Sequence, residues 1–329
     1  MAKCWKVALC GAWLLLTGPA LAAEQDFSAW LTAFKAEALD KGLKPETIEA
    51  TLADVQPIDR VIELDRKQPE FTLTFDDYLA RVAPDSRIEK GKGLIKQHKA
   101  LLTEVSKRYG VPANVIVAMW GIETDFGRVT GGFPVIPALA TLAYDGRRSA
   151  YFRTELFNAL TIVDKGLAPA ERLRGSWAGA MGQCQFMPST YLNYGQSWSG
   201  GAPDIWNIQA DVFASAANYL SQIGWNPKEG WGRPVKLPKN GISASLVGLD
   251  VSHSLTQWGK LGLRQANGKP LPKSEMQASL IRAETGKNGD TGTGKPYLVT
   301  GNFRVIMKWN RSIFFALGAG TLADRLGSK

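Results

Sequence analysis

The sequence predicts an α+β protein that is mainly helical, with a small antiparallel β unit late in the chain. Three observations carry that expectation. Apolar residues recur at three- and four-residue spacing from Phe27 to about Ile223. From Gly230 the texture changes to short runs separated by Gly and Asn turns. A helical period then returns from Ser312 to Leu326.

The first segment stands apart from the fold. Lys3 and Lys6 precede an apolar run, Val7 to Leu16, followed by Pro19 and the small-x-small site Ala20-Leu21-Ala22. This is the pattern of a secretory signal peptide, too short to span a bilayer as a mature helix. Ala8-Leu9 before Cys10 lacks the small residue expected beside an acylated cysteine. The expected product begins at Ala23 and is soluble in the periplasm without a membrane anchor. Loss of Cys4 and Cys10 leaves Cys184 alone, so no internal disulfide is expected.

Phe27, Trp30, Leu31, Phe34 and Ala38 then share one helical face, and Gly42 stops the run. Pro45 opens a second helix carrying Ile48, Leu52 and Val55. After a looser segment around Lys67-Gln68-Pro69, one periodic run extends from about Ile88 to Tyr109, closed by Gly110. Pro112 starts the next helix, with Ile116, Met119, Trp120 and Glu123 at i, i+3, i+4 and i+7, ended by Gly127 and the Gly131–Pro134 turn. Helical patterns cover Tyr151–Lys165 and Asp211–Ile223, around a Gly-rich passage at 175–182. Ala244–Leu249, Trp258–Leu263, Gln277–Arg282 and Tyr297–Thr300 look like strands, with Glu284–Lys295 a Gly/Thr/Lys hairpin or mobile loop.

Composition narrows the chemistry. The chain has 329 residues, 45% hydrophobic, with a net charge of +9, so it can bury a sizeable core and is not disordered. Two histidines and three cysteines argue against metal clusters and His-based triads. The excess of lysine and arginine is dispersed, which with export favours an anionic wall polymer over nucleic acid as partner.

Glu123 is the most informative residue. It shares the apolar stripe of its helix and lies near the helix C-terminus, where the macrodipole disfavours a negative charge. Both features raise a carboxyl pKa, as a general acid at neutral pH requires. The same pattern also fits a buried Glu paired with an arginine, or a helix phase that leaves it in water. Asp125, two residues on, points elsewhere. In Arg174–Gly182 and Gln183–Tyr191, Gln and Ser between glycines and aromatics suit a neutral, hydroxyl-rich ligand such as a sugar. Taken alone, a tight structural turn with a capping Ser is the simpler explanation of them.

Taken together, Gly121-Ile122-Glu123-Thr124-Asp125-Phe126-Gly127, Gly179-Ala180-Met181-Gly182 with Gln185–Ser189, and Asn302-Phe303-Arg304-Val305-Ile306 with Trp309-Asn310 resemble the membrane-bound lytic murein transglycosylase B family. The likeness spans the chain from about Phe27 to its end, including Arg60–Arg66. It implies a goose-lysozyme-like core flanked by α and β domains. The organisation expected is a signal peptide at 1–22, a helical N-terminal domain at 23–95, a lysozyme-like catalytic core at 96–232, a small β domain at 233–300 and a segment at 301–329 that returns to the core.

The resemblance implies cleavage of the β-1,4 bond between N-acetylmuramic acid and N-acetylglucosamine in peptidoglycan, with Glu123 as sole acid and then base and the muramyl 6-hydroxyl as nucleophile, giving 1,6-anhydro products. It implies that Ser176 and Gln185 orient the sugar, that Arg147, Arg148 and Tyr151 lie near the peptide stem, and that Tyr219, Trp309 and Asn310 line the cleft. No cofactor is implied. The chain departs from the family in three ways. Trp309 and Phe315 stand where tyrosines are expected, removing a hydroxyl but keeping a stacking face. The stretch Gln196–Asp211 lacks the acidic loop that binds calcium in some relatives, so no metal is expected. The lipobox is absent. The rival readings are a hydrolase using water, with Asp125 or Asp145 as second carboxylate, and a peptidoglycan-binding protein without chemistry. A cysteine hydrolase built on Cys184 and His253 lacks any activating motif.

Overall fold

The computed structural model describes residues 26–67, 73–284 and 293–328. The signal-peptide pattern, Gln68 and Pro69, and most of the Glu284–Lys295 loop lie outside the described residues. The helices begin with α1 (Phe27–Asp40), α2 (Pro45–Leu52), α3 (Asp59–Arg66) and α4 (Phe75–Val82). Phe27, Leu31, Phe34 and Ala38 are buried on α1, as their spacing predicts. Pro45 sits at the first turn of α2, where its missing N–H leaves nothing unpaired. Thr74 caps α4 by accepting from the Asp77 amide at 3.2 Å. Neither α3 nor α4 is marked by a long enough apolar period to stand out in the sequence.

The single run expected from Ile88 to Tyr109 is two helices, α5 (Asp85–Gln97) and α6 (Lys99–Tyr109). The chain leaves helical geometry at His98 (φ −99°, ψ 20°), whose ring packs edge-on to Phe213 at 5.4 Å. Gly110, at φ +71°, ends α6 in the left-handed conformation that glycine adopts without strain.

At the centre is α7 (Ala113–Thr124), packed by α5, α6 and two later helices. Every residue from Val115 to Gly121 is buried, so α7 is enclosed all round rather than amphipathic. A two-residue strand β1 (Phe133–Pro134) leads into α8 (Val135–Tyr144) and α9 (Ser149–Asp164), which pack as an antiparallel pair. β2 (Arg174–Gly175) returns to pair with β1. The short α10 (Pro188–Tyr194) and then α11 (Gln209–Gln222) complete this region.

The β unit follows. β3 (Gly232–Lys236), β4 (His253–Ser254), α12 (Leu255–Lys260), β5 (Arg264–Gln265), β6 (Gln277–Glu284) and β7 (Thr293–Val299) form one antiparallel sheet in the order β4-β6-β7-β3-β5, with α12 alongside. Two expected strands are not strands. Ala244–Leu246 is a 3₁₀ turn, and Trp258 lies on α12, which a Ser254/Gln257 capping box initiates. The pleat divides the sheet's side chains between two apolar clusters. Ala278, Leu280 and Leu298 join Val235, Leu255, Trp258 and Leu263 in a small cluster. Ile281, Ala283, Tyr297 and Val299 face the main core. α13 (Gly301–Trp309) and α14 (Ile313–Gly327) close the chain, and α14 packs along α7, α4 and α5.

Candidate active site around Glu123

Glu123 occupies the last turn of α7, where the backbone reverses sharply. Asp125, Phe126 and Gly127 all have positive φ, at 50°, 61° and 79°. The Phe126 amide donates to the Trp120 carbonyl at 3.3 Å, and its ring folds back over Gly121. A Cβ at Gly121 would stand 2.7 Å from that ring, which explains the glycine. Sequence expects Gly127 to end the helix; the turn begins two residues earlier. Glu123 is partly buried, whereas Thr124 and every residue from Val115 to Gly121 are buried.

A second segment is clamped onto this turn through Gln183. Its Oε1 accepts from Trp120 Nε1 at 2.9 Å and from Gln209 Nε2 at 2.8 Å, and its own Nε2 donates to the Trp206 carbonyl at 2.8 Å. Thr124 Oγ1 donates to the Gln183 carbonyl at 3.0 Å. Each buried polar atom here has a partner, as low-dielectric surroundings demand. Nothing in the sequence distinguishes Gln183 from Gln185, so its clamping role is visible only in the fold. Downstream, the buried Glu155 on α9 accepts from the Ser189 amide at 2.9 Å and its hydroxyl at 2.6 Å, fixing the start of α10.

The Gly-rich passage closes on itself. Ser176 Oγ accepts from the Ala180 amide at 3.1 Å, and a Cβ at Gly175 would collide with the Ala180 carbonyl oxygen. Gln185, strained at φ +50°, commits its amide nitrogen to Thr130 O (3.0 Å) and Gly182 O (2.9 Å). Its Oε1 and the Ser176 hydroxyl hydrogen carry no hydrogen bond among the described residues. These are one acceptor and one donor of the kind a sugar hydroxyl or acetamide uses.

The far wall comes from α13. Asn302, fully buried, donates to the carbonyls of Asn226 (2.9 Å) and Glu229 (2.8 Å), while Arg304 donates to Leu249 O and to Ser279 Oγ at 2.9 Å. These bonds set the helix axis and thereby aim Trp309. Trp309 Nε1 donates to Glu123 Oε1 at 2.8 Å. The indole packs at 5.4 Å from Phe186 and 5.0 Å from Tyr219, whose hydroxyl donates to the Lys308 carbonyl at 3.0 Å. The indole, expected from the sequence only as a stacking face, therefore also supplies an N–H to the carboxylate. Phe315 is buried at the start of α14, and Asn310 uses its Oδ1 to accept from the Ser312 amide at 3.1 Å.

Burial raises the Glu123 pKa to about 7, against the smaller opposing effect of the Trp309 hydrogen bond. Of the alternatives open in the sequence, pairing with an arginine is not found: Glu123 makes no ion pair among the described residues. Tyr78 on α4, unmarked in the sequence, also faces this carboxyl. Burial, with a smaller contribution from Glu123, pushes its phenol up to about 12. Both rival carboxylates are engaged elsewhere. Asp125 pairs with Arg128 at 2.6 Å and Arg87 at 3.3 Å. Burial raises its pKa, but the hydrogen bonds from Arg128 and Arg87 more than offset that and hold it below the usual range. Asp145 pairs with Arg66 at 2.7 Å.

Arg147 and Arg148 converge instead on Asp65 of α3. Arg147 donates to its Oδ2 at 2.6 Å, and Arg148 pairs with its Oδ1. Asp65 is buried, whereas both guanidinium groups remain about half exposed. Tyr151 is exposed beside Phe152. None of these three contacts Glu123. Cys184 is buried against the Val212 carbonyl, and burial pushes its thiol far above the ordinary range, while His253 packs on Trp258 in the β unit. In the Gln196–Asp211 stretch, Asp211 accepts from the Trp198 and Asp204 amides, both at 2.8 Å, and Asp204 accepts from the amides of Trp206 and Asn207.

A helix-rich α+β scaffold holding one elevated carboxyl against an indole N–H is the lysozyme-like type of lytic transglycosylase fold. Residues 26–324 match the Transglycosylase SLT domain, and the chain belongs to that family. The membrane-bound lytic murein transglycosylase B of Escherichia coli K12 is 34% identical over 246 residues, 74% of this chain and 64% of that protein. The chain thus matches a little under two thirds of that relative's length. SltB3 from Pseudomonas aeruginosa, solved in complex with NAG-anhNAM-pentapeptide, is 41% identical with a TM-score of 0.85, covering 91% of this chain and 79% of that one. The Escherichia coli lytic transglycosylase Slt35 in complex with bulgecin A is 29% identical with a TM-score of 0.75, covering 90% and 92%.

Proposed function

We propose that this protein is a peptidoglycan lytic transglycosylase with Glu123 as its single acid and base. The observation that carries this reading is one carboxyl with a pKa of about 7 and, among the described residues, no free second carboxylate beside it. A group half-protonated near neutrality can both give and take a proton. Glu123 protonates the glycosidic oxygen as the C1–O bond between N-acetylmuramic acid and N-acetylglucosamine breaks. The substrate's 2-acetamido group assists at the anomeric carbon. The Glu123 carboxylate then accepts the proton of the muramyl 6-hydroxyl, whose oxygen bonds to C1 and closes the 1,6-anhydro ring. A substrate that carries its own nucleophile needs no second carboxylate.

Ser176 and Gln185 supply the free donor and acceptor for the sugar. Trp309 orients Glu123, Tyr219 supports the indole, and Asn310 lies at the cleft edge. Arg147, Arg148 and Tyr151 meet the peptide stem, with Asp65 aligning the two guanidinium groups for its carboxylates. The NAG-anhNAM-pentapeptide bound by SltB3 supports this substrate class. The division into a helical N-terminal domain to residue 95, a core to 232 and a β domain to 300 belongs to the same reading; the separate apolar cluster of the β unit supports the last of these alone. So does soluble periplasmic location after cleavage at Ala22; no helix among the described residues is long and apolar enough to cross a membrane.

Digestion of purified peptidoglycan tests the reaction. Released muropeptides should carry anhydromuramyl ends, one water lighter than hydrolytic products and resistant to borohydride. Predominantly reducible ends would mean that water is the nucleophile. Glu123→Gln should fold and lose about 10²–10⁴-fold in rate.

A further inference from the structure

We propose that a cationic pocket between the β unit and α13 binds the carboxylates of a second peptide stem, carried by a muramyl residue next along the strand. The inference rests on the transglycosylase reading and adds a subsite to it. The pocket is a cavity of about 610 Å³ lined by Leu249, Asp250, Arg304, Met307, Lys308 and Arg311. Arg304, Met307 and Lys308 stand at i, i+3 and i+4 on α13, and Arg311 follows just past its end. The opposite face, Val305 and Ile306, is buried in the core.

Three cations therefore face one acid. None of Arg304, Lys308, Arg311 or Asp250 forms an ion pair among the described residues. What sets this group apart is its clustering: three cations line one concavity beside a single carboxylate. Cations gathered in a concavity reinforce one another's field and favour an anionic occupant. Arg304 is also preorganised. Its bonds to Leu249 O and Ser279 Oγ hold the guanidinium fixed, leaving its remaining N–H groups for a ligand. Lys308 donates to the Ile223 carbonyl at 2.9 Å, which holds its ammonium near the last turn of α11.

The lining selects among anions. Leu249 and Met307 offer an apolar floor for methyl and methylene groups, and Asp250 offers a partner for an ammonium. That combination suits a short amphoteric peptide with more carboxylates than amines. A phosphate polymer would meet repulsion at Asp250 and gain nothing from the floor. The pocket is also joined to the reaction site, because Lys308 precedes Trp309 and its carbonyl accepts from Tyr219. A glycan strand carries a stem on every second sugar, so a strand cut at Glu123 brings further stems alongside the cleft.

The test measures binding and cleavage separately. Calorimetry would titrate the free tetrapeptide L-Ala–D-Glu–diaminopimelate–D-Ala, and in parallel inorganic polyphosphate, into the signal-peptide-cleaved protein and its Arg311→Glu variant. The tetrapeptide should bind the parent in a salt-sensitive manner and bind the variant about tenfold more weakly, as loss of one charge-assisted hydrogen bond requires. The preference in kcat/KM for stem-bearing over stem-stripped glycan should fall by a similar factor. Equal Kd for the two proteins, an equal loss on both glycans, or tighter binding of polyphosphate than of tetrapeptide would overturn the proposal. Should Arg311→Glu unfold, Lys308→Met serves the same comparison. Failure of the parent to cut either glycan would refute the transglycosylase reading alone, and the pocket would still stand or fall on the tetrapeptide Kd.

Discussion

Replacing Trp309 by phenylalanine removes one hydrogen-bond donor from the site and leaves a smaller aromatic ring between Phe186 and Tyr219. The lost group is the indole N–H that donates to Glu123 Oε1 at 2.8 Å. A hydrogen bond to a charged acceptor contributes about 1.5–3 kcal/mol and one to a neutral acceptor about 0.5–1.5, so the ionised carboxylate loses roughly 1 kcal/mol more than the acid. At 1.36 kcal/mol per unit, the Glu123 pKa rises by roughly 0.7 from its value of about 7. The free enzyme acts in its protonated form, so kcat/KM falls as pH rises through this pKa. In Trp309→Phe that fall should move to higher pH by about the same amount. The groups facing the carboxyl do not confuse the assay. The Tyr78 phenol is pushed up to about 12 and the Cys184 thiol is also pushed well up, so both stay neutral across the range measured. Turbidity clearance of purified peptidoglycan from pH 5 to 9 gives the profile. An unmoved limb, or one moved to lower pH in a folded variant, would refute the argument.

Other consequences follow from the same geometry. Because the folded-state pKa of Glu123 lies above its unfolded value of 4.5, the folded protein holds more protons between pH 4.5 and about 7 and loses stability as pH rises across that window. Glu123→Gln should therefore match the parent's stability near pH 4 and exceed it at pH 8, by roughly 3 kcal/mol in denaturant unfolding; equal stability at pH 8 would contradict this. Asp65→Asn frees Arg147 and Arg148 and should lower stability by roughly 1–3 kcal/mol, less than an enclosed pair because both arginines reach water, while KM for stem-bearing peptidoglycan rises. The Arg147 hydrogen bond, with that of Arg148, holds the Asp65 pKa low, so its contribution is lost as pH falls through that depressed value, and the parent and Asp65→Asn curves should converge in acid. Gly175→Ala, which forces a methyl against the Ala180 carbonyl, should cost about 1–3 kcal/mol and loosen the Ser176 turn, read as a lower melting temperature. Since Asp204 and Asp211 spend their oxygens on backbone amides, EDTA should leave rate and melting temperature unchanged, and a calcium-dependent rise would reveal ligands elsewhere.

The sequence by itself determined what is local or periodic. The apolar stripe of α1, Pro45 at the start of α2 and Gly110 after α6 act through neighbouring residues, and their elements form where the spacing puts them. Glu123 was legible for a related reason: a carboxyl among Ile116, Met119 and Trp120 at a helix end is conspicuous within a dozen residues. The differences arise where distant residues intervene. The Ile88–Tyr109 period continues across His98 although the backbone does not, because the His98 ring turns in to meet Phe213, far along the chain. Trp258 lies in a short β-rich run, yet the capping box at Ser254 and the contacts of the small cluster make it helical. The tertiary structure decided which polar groups face one another. Trp309 and Glu123 are 186 residues apart, and their hydrogen bond exists because Asn302 and Arg304 pin α13 to distant carbonyls. Gln183 rather than Gln185 became the clamp, and Asp65 became the anchor of Arg147 and Arg148, through partners that sequence spacing does not encode. A hydrogen bond depends on directions and distances of a few tenths of an ångström, and these are fixed only when separate elements have packed.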